Sequence, residues 1–348
     1  MKIRAISCLS TLSLMCIAMA VLIWPDSAGA QRSGAGLEKL FQKSRVTVAV
    51  TDSGLGGLSV MAEAARRMKE SGIFKRADFI FFNSLFSAGG GYNSLKTREE
   101  KIRVFDSALR SLEEKYRPDI ILIGCNTLSV LYEDTPFLKT TKLPVIGIVD
   151  AGVELISRGL RDHPEAEVII FGTPTTISEG AYARELEKRG FAPERIYSQS
   201  CPELESFIER DHRGEETAML VAGCVGEALQ NIEKSGDSLP PLIISLNCTH
   251  YGYALPLWEN AFEESGVKPL EILNPNSRMT DPLFEKRYGG RHKKTKITAK
   301  VVSMVEISPS KIESLGGWLQ DLSPEVAGAL SHYKHIAGLF EWEKFISR

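Results

Sequence analysis

The sequence predicts an α/β protein made of two similar parallel-sheet domains. Short apolar runs of strand length alternate along the chain with longer stretches of helix length. The strand runs show no alternation of polar and apolar residues, which is typical of a parallel sheet covered by helices on both faces. A similar strand-and-turn pattern also recurs after about 120 residues, which predicts that one α/β unit is duplicated.

The composition of individual segments predicts their secondary structure. Strands are predicted over 46–50, 79–82, 120–123, 145–149, 168–171 and 242–246. Helices are predicted over 58–69, 99–116 and 178–189. In a parallel sheet, ligands bind in the loops that follow the carboxyl ends of the strands, so we expect the functional residues there.

The duplication predicts where a functional cleft lies. The strand that ends at Asp52 corresponds to the strand before Thr173, and the strand before Cys125 corresponds to the strand before Cys248. If a pseudo-twofold axis relates the two halves, one cysteine reaches a shared active-site cleft from each side. The predicted units are a first domain of 46–147 with 256–320, a second domain of 148–255, and a C-terminal helical extension of 321–348.

The composition argues against several classes of protein. The 348 residues include 42 basic and 44 acidic side chains, for a net charge of −2. This balance is ordinary for a folded protein and argues against a dedicated nucleic-acid binder, which usually carries a strongly basic face. The basic run over 286–300 is interpreted as a solvated insertion. His332 and His335 have no third ligand nearby in the sequence, so no metal site is predicted.

The first 30 residues are predicted to be a signal peptide. Lys2 and Arg4 precede an apolar stretch over 5–24, and Ala28 and Ala30 stand at the −3 and −1 positions of a cleavage site. Cleavage after Ala30 would give a periplasmic or secreted protein without a membrane attachment. An uncleaved inner-membrane anchor is the alternative, because 20 apolar residues can just span a bilayer. Export to an oxidising compartment is therefore expected.

Two cysteines lie where chemistry is expected. Cys125 and Cys248 each follow an apolar strand and stand beside amide and hydroxyl side chains. Cys201 and Cys224 are interpreted as buried small hydrophobic residues, the usual state of a free cysteine. No Cys-x-x-Cys spacing occurs, which argues against thioredoxin-like redox chemistry and a zinc ribbon. Taken alone, Cys248 and His250 would also fit a cysteine hydrolase.

Three short motifs resemble those of a known enzyme family. The motifs are TDSGLGGL at 51–58, GCNT at 124–127 and NCTHY at 247–251. They resemble the N-terminal signature and the two cysteine motifs of glutamate racemases, which belong to the aspartate/glutamate racemase family. The resemblance extends over about 46–320 and implies the two-domain fold with the active site between the domains.

The resemblance also implies racemisation by two thiols without a cofactor. One thiolate removes the α-proton and a thiol on the opposite face returns a proton; a thiol of pKa about 8.5 can serve in either role near neutral pH. The implied catalytic residues are Cys125 and Cys248, with Asp52 assisting the first and His250 the second. The residues implied to bind the substrate are Ser53, Tyr92, Asn93, Asn126, Thr127, Thr176 and Thr249.

The sequence departs from the family pattern in two places. Asn247 and Gly252 stand where the second cysteine motif of the family has Gly and Pro, and 83–86 reads NSLF where the family has Asp-Thr-x-Arg. The substrate is therefore expected to be glutamate or a related amino acid. A non-catalytic periplasmic amino-acid-binding or regulatory protein with a racemase fold is the alternative. The expected partner is a small-molecule amino-acid substrate. No nucleic-acid partner is expected, and the sequence is compatible with a homodimer.

Overall fold

The computed structural model describes residues 36–233 and 239–347. The predicted signal peptide and its cleavage site after Ala30 lie outside the described residues. A helical segment over 36–41 leads into the first strand. Among the helices described, none combines the length and the apolar character that crossing a membrane requires.

The described chain alternates strands and helices. The strands are β1 (Arg45–Asp52), β2 (Arg76–Asn83), β3 (Ile120–Ile123), β4 (Val145–Gly147), β5 (Glu167–Gly172), β6 (Ile196–Ser200), β7 (Leu242–Asn247), β8 (Glu271–Leu273), β9 (Lys296–Ser303) and β10 (Lys334–His335). The helices are α1 (Leu58–Ser71), α2 (Arg98–Tyr116), α3 (Asn126–Tyr132), α4 (Pro136–Thr140), α5 (Ile148–Asp162), α6 (Pro174–Ser178), α7 (Ala181–Lys188), α8 (Leu204–Arg210), α9 (Glu215–Glu233), α10 (Leu255–Glu264), α11 (Pro309–Leu322) and α12 (Pro324–Ser331).

The strands form two parallel sheets whose shared topology confirms the predicted fold class. The first sheet has the order β10-β9-β2-β1-β3-β4, and the second has the order β6-β5-β7-β8. All paired strands run parallel. The order β2-β1-β3-β4 is therefore repeated as β6-β5-β7-β8, and β1 and β3 match β5 and β7 as the sequence repeat predicts.

The central strands are buried because their sequences are apolar on both faces. Every residue of β3 and of β7 is buried, and in β5 only Glu167 is partly exposed. Helices cover both faces of such a sheet, which leaves the carboxyl edge of the strands as the open side. The residues that follow β1, β3 and β7 therefore meet at the edges where the two domains face each other.

The observed boundaries differ from the predicted ones. The second domain continues past 255, because β8 at 271–273 pairs with β7. The predicted strand over 145–149 ends at Gly147, because α5 begins at Ile148. The basic run over 286–300 is an insertion only in its first part, since its residues from Lys296 onward form β9 beside β2.

The C-terminal extension is helical only in part. After α12 the chain adds β10 to the edge of the first sheet, beside β9. The tail then packs on the first domain, where Phe340 lies 6.0 Å from Phe82 and Trp342 lies 5.0 Å from Phe86, measured between ring centroids. The prediction of a helix over 321–348 is therefore wrong beyond Ser331, because the aromatic side chains of the tail favour burial against the first domain.

Candidate active site

One cavity of about 140 Å³ contains both predicted catalytic cysteines. Cys125 follows β3 in the first domain and Cys248 follows β7 in the second, and both side chains line the cavity. Both are free thiols, and each is only 4% exposed. The duplicated strand order thus brings two equivalent strand ends, each with one thiol, to the same space.

Cys125 is held at the start of a helix. Its side chain caps α3 and accepts a hydrogen bond from Leu128 N at 3.5 Å, while its Sγ lies 3.2 Å from Ser53 Oγ. Burial and the nearby charge of Asp52 raise the pKa of Cys125 well above its usual range. Cys125 is therefore a protonated thiol at neutral pH, which suits a proton donor.

Asp52 is the acidic partner on the Cys125 side. It ends β1 and is 1% exposed, and its Oδ2 accepts hydrogen bonds from Gly57 N at 2.5 Å and Thr249 Oγ1 at 2.8 Å. Its Oδ1 is buried and has no hydrogen-bond partner among the described residues. Burial raises the pKa of Asp52, with the charge of His250 opposing this shift. A carboxylate of raised pKa is a stronger base toward a thiol.

Cys248 has a histidine as its partner. His250 Nδ1 lies 3.6 Å from Cys248 Sγ, and His250 Nε2 donates to Glu209 Oε1 at 2.8 Å. Burial acts to lower the pKa of His250, but its bonds to Cys248 and Glu209 outweigh burial and raise that pKa well above the usual range. Burial raises the pKa of Cys248, and His250 opposes the shift. A thiolate–imidazolium pair is therefore accessible on this side.

Glu209 and Lys311 extend this arrangement, and the sequence alone does not predict a role for either. Glu209 Oε1 also accepts from Leu55 N at 2.7 Å, and Glu209 Oε2 accepts from Lys311 Nζ at 2.6 Å. Burial acts to raise the pKa of Glu209, but the hydrogen bond and charge of His250, with the Lys311 ammonium, lower that pKa to about 2. No local pattern marks either residue, because each lies in a helix with several other charged side chains.

The glycines of the first motif leave space for this acid–base chain. A Cβ at Gly54 would lie 2.6 Å from Glu209 Oε1, and a Cβ at Gly56 would overlap Thr249 Oγ1. These contacts are far shorter than real Cβ contacts, so a larger residue would displace the carboxylate or the threonine. The glycines of the TDSGLGGL motif therefore let the first domain approach Glu209 and Thr249 of the second domain closely.

Most of the predicted substrate-binding residues reach the cavity. Those that line it are Ser53, Tyr92, Asn93, Asn126, Thr127 and Thr249. Thr176 is not among the lining residues; its Oγ1 lies behind the wall, 3.0 Å from Thr173 Oγ1. Thr173, which the sequence analysis did not select as a binding residue, lines the cavity and bonds to Thr127 Oγ1 at 2.8 Å.

Cys201 and Cys224 form a disulfide, so the interpretation of both as buried small hydrophobic residues is wrong. Their Cα atoms are 5.8 Å apart, within the range for such a bond, and 23 positions separate them in the chain. The bond joins the end of β6 to α9, close to the start of α8, which carries Glu209. Within 36–233 and 239–347, no group of three or more His, Cys, Asp or Glu side chains could hold a metal ion.

A family model for Asp/Glu/hydantoin racemases matches residues 57–234, which is about half of the chain. The chain belongs to the Asp/Glu/hydantoin racemase family. Membership in this racemase family makes the protein an isomerase. The family assignment agrees with the resemblance that the three sequence motifs carry.

Individual members of the racemase family are similar over most of their length. A glutamate racemase of a Sulfurihydrogenibium species is 30% identical over 237 residues, covering 68% of this chain and 81% of the relative. A glutamate racemase of a Nitratiruptor species is 25% identical over 276 residues, covering 78% of this chain and 96% of the relative.

A solved racemase shares the fold. The crystal structure of glutamate racemase from Francisella tularensis subsp. tularensis, in complex with D-glutamate, has a TM-score of 0.60 and 19% sequence identity. The match covers 86% of this chain and 98% of that chain. At this identity the likeness concerns the architecture of the two domains and leaves the substrate of the present racemase open.

Proposed function

We propose that the protein interconverts the two enantiomers of an α-amino acid without a cofactor, with Cys125 and Cys248 as its proton-transfer groups. The observation that carries this proposal is that two free thiols line one cavity, each beside its own acid–base partner. Inversion needs a base on one face of the α-carbon and an acid on the other, in opposite protonation states. The proposed substrate class is an α-amino acid, and the relatives named above are glutamate racemases.

The two thiols differ in a way that suits these two roles. In one direction Cys248, as a thiolate beside the His250 imidazolium, removes the α-proton, and the Cys125 thiol donates a proton to the opposite face. In the reverse direction Cys125 is the base. Asp52 accepts the proton of the Cys125 thiol, and the resulting thiolate removes the α-proton. The raised pKa of Asp52 brings its basicity closer to that of the thiol.

The substrate carboxylate gains negative charge when the α-proton leaves, so the site needs fixed hydrogen-bond donors. Asn126 Oδ1 accepts a hydrogen bond from Tyr182 Oη at 2.5 Å, which fixes the orientation of the amide. Asn126 Nδ2 is buried and has no partner among the described residues, so this nitrogen is available to the substrate. The hydroxyls of Ser53 and Thr127 line the same cavity and can supply further donors.

Incubation with single-enantiomer amino acids in D₂O tests the proposal. We expect the wild type to form the opposite enantiomer with deuterium at Cα, and Cys125→Ala or Cys248→Ala to slow this interconversion by about 10³-fold or more. The matched control is Cys201→Ala/Cys224→Ala, which removes two sulfur atoms outside the cavity and should retain activity when folded. Circular dichroism of every variant separates loss of chemistry from loss of fold.

Two results would contradict racemisation. Binding of amino acids without any exchange would favour a non-catalytic binding or regulatory protein. Acyl hydrolysis that requires Cys248 but is unaffected in Cys125→Ala would favour a cysteine hydrolase.

We also propose that the protein is exported with cleavage after Ala30. The predicted signal peptide supports this, and so does the disulfide between Cys201 and Cys224, because disulfides persist mainly in oxidising compartments. N-terminal sequencing of the protein from a periplasmic or secreted fraction should begin at Gln31. Recovery of the full chain in the membrane fraction would instead favour the uncleaved anchor.

A further inference from the structure

The carboxylate of Glu205 is a charged group of the cavity that the proposed chemistry does not use. Glu205 lies four residues before Glu209 on α8, and this spacing places both side chains on the same face of the helix. Both residues line the cavity. Glu209 binds His250 and Lys311, whereas Glu205 makes no hydrogen bond to either thiol or to His250. Its carboxylate is therefore free for another role.

Asn93 holds Glu205 at the wall of the cavity. Asn93 Nδ2 donates to Glu205 Oε1 at 3.3 Å, while Asn93 Oδ1 accepts from Thr175 N at 3.3 Å and from Thr175 Oγ1 at 2.7 Å. Because Thr175 fixes the oxygen of this amide, the amide nitrogen must face Glu205. Glu205 Oε2 is buried and has no hydrogen-bond partner in the described part of the chain. The carboxylate is thus positioned by a neutral donor and left without a counter-charge.

The cavity wall carries more acidic than basic groups. Its carboxylates belong to Asp52, Glu205 and Glu209, and its cationic groups are Lys311 and the His250 imidazolium. Both cations are hydrogen-bonded to Glu209. The α-ammonium group of a substrate can neutralise one of the two remaining carboxylates. The other stays buried and unpaired, which is unfavourable unless the ligand brings a second positive charge.

A substrate with a second carboxylate finds no free cation in this cavity. None of the described residues that line it is an arginine. Phe86, in the segment after β2, packs its ring against Tyr92 and Trp342, with centroids 5.3 and 5.0 Å apart. The Lys311 ammonium is already bound to Glu209 at 2.6 Å. A side-chain carboxylate would therefore face the like charge of Glu205.

We propose that the cavity selects an α-amino acid with a cationic side chain, and that Glu205 determines this specificity. The inference rests on the proposed racemisation and names the substrate class of the same site. The α-ammonium group would pair with Asp52 and the side-chain cation with Glu205, so that each carboxylate of the wall faces a positive charge. Burial raises the pKa of Glu205, with the charge of His250 opposing the shift. A bound cation would favour the ionised carboxylate.

Deuterium exchange into a panel of amino acids tests this inference. The panel is L-lysine, L-ornithine, L-arginine, L-glutamine and L-glutamate, and kcat/KM is measured for each. We expect at least one basic amino acid to exceed L-glutamate by about 100-fold, and Glu205→Gln to reduce this preference by about tenfold or more, mainly through KM. The matched control is Glu263→Gln, an exposed glutamate of α10 outside the cavity, which should change neither parameter.

The outcomes separate this inference from the proposed function. Wild-type preference for L-glutamate or L-glutamine over every basic amino acid would overturn the inference and leave racemisation intact. Absence of exchange with any amino acid would overturn racemisation. In that case, binding of L-lysine measured by calorimetry tests the role of Glu205. Binding by the wild type that is lost in Glu205→Gln would support selection of a cationic side chain by Glu205. Binding that is absent, or equal in both proteins, would refute this selection.

Discussion

His250 Nε2 donates a hydrogen bond to Glu209 Oε1 at 2.8 Å, although the two residues lie 41 positions apart in the chain. The bond joins the loop after β7 to α8, and Lys311 on α11 binds the other oxygen of the same carboxylate. The protonated state of His250 therefore depends on residues from three separate segments, namely the loop after β7, α8 and α11. Since His250 Nδ1 faces Cys248, the basicity of this thiol depends on residues outside the cysteine motifs.

The two thiols should differ in reactivity. Only Cys248 has a neighbouring imidazolium to stabilise its thiolate, whereas burial and the negative charge of Asp52 both raise the pKa of Cys125. We expect iodoacetamide to alkylate Cys248 at least about tenfold faster than Cys125 near neutral pH, because the thiolate is the reactive form. Peptide mass spectrometry over time measures both rates. Equal rates, or faster modification of Cys125, would contradict the assigned protonation states.

Removing the charge of Glu209 should weaken proton transfer on the Cys248 side. Glu209→Gln keeps a similar shape but loses the negative charge that stabilises the His250 imidazolium, so we expect kcat to fall by about 10- to 100-fold. The acidic limb of the kcat/KM profile should move to higher pH, because the Cys248 thiolate then forms less readily. Lys311→Met should have a smaller effect in the same assay, since the Lys311 ammonium acts on His250 only through its hydrogen bond to Glu209. An unchanged pH profile in Glu209→Gln would exclude this role.

Stability should depend on pH through His250. The pKa of His250 is raised in the folded protein by Cys248 and Glu209 against the effect of burial, so its contribution is fully present below the unfolded value of about 6.5. That contribution is lost as the pH rises through the raised pKa of the folded state. Urea unfolding of wild type and His250→Gln should therefore show the largest stability difference near about pH 6 and a smaller one at alkaline pH. A difference that grows with pH would refute the assignment.

The close approach between the TDSGLGGL motif and Glu209 can be tested by adding a single methyl group at Gly54. Gly54→Ala would bring Cβ to 2.6 Å from the buried Glu209 Oε1, so we expect a loss of about 1–3 kcal/mol of stability and reduced activity. Gly316→Ala on α11 is the matched control, because nothing lies within 4 Å of its Cβ and alanine favours a helix by about 0.5–1 kcal/mol. Chemical unfolding and kcat measure both effects. Equal stability of the two variants would show that the Gly54 contact is not tight.

The disulfide should contribute to stability under oxidising conditions. Closing a loop over the sequence separation of 23 from Cys201 to Cys224 corresponds to about 3 kcal/mol in the chain-entropy model. We expect dithiothreitol to lower the midpoint of urea unfolding of the wild type and to leave Cys201→Ala/Cys224→Ala unchanged. A reduced wild type that unfolds at the same urea concentration as the oxidised form would exclude a stabilising disulfide.

Much of the fold could be predicted because the decisive signals are local. β3 is an unbroken apolar run and β7 is apolar except for Ser245 and Asn247, and each ends at a cysteine motif, so the strands and the positions of Cys125 and Cys248 follow from nearby residues. The pattern does not predict the edge strands β8 and β10, because runs of three and two residues carry little pattern of their own, nor β6 and β9, whose sequences mix polar and apolar residues. The resemblance places Thr176 at the site, whereas Thr173, three positions earlier, lines the cavity.

The class of the fold, its duplicated unit and the two strand ends that carry thiols follow from the amino-acid sequence, because apolar periodicity and short motifs depend only on neighbouring residues. The positions of Glu209 and Lys311 next to His250, and of Glu205 at the cavity wall, follow only from how distant segments pack together. In the sequence these three residues look like ordinary charges on solvated helices. They acquire their roles because α8 and α11 pack where the two domains meet, which removes the charges from water and leaves them few partners.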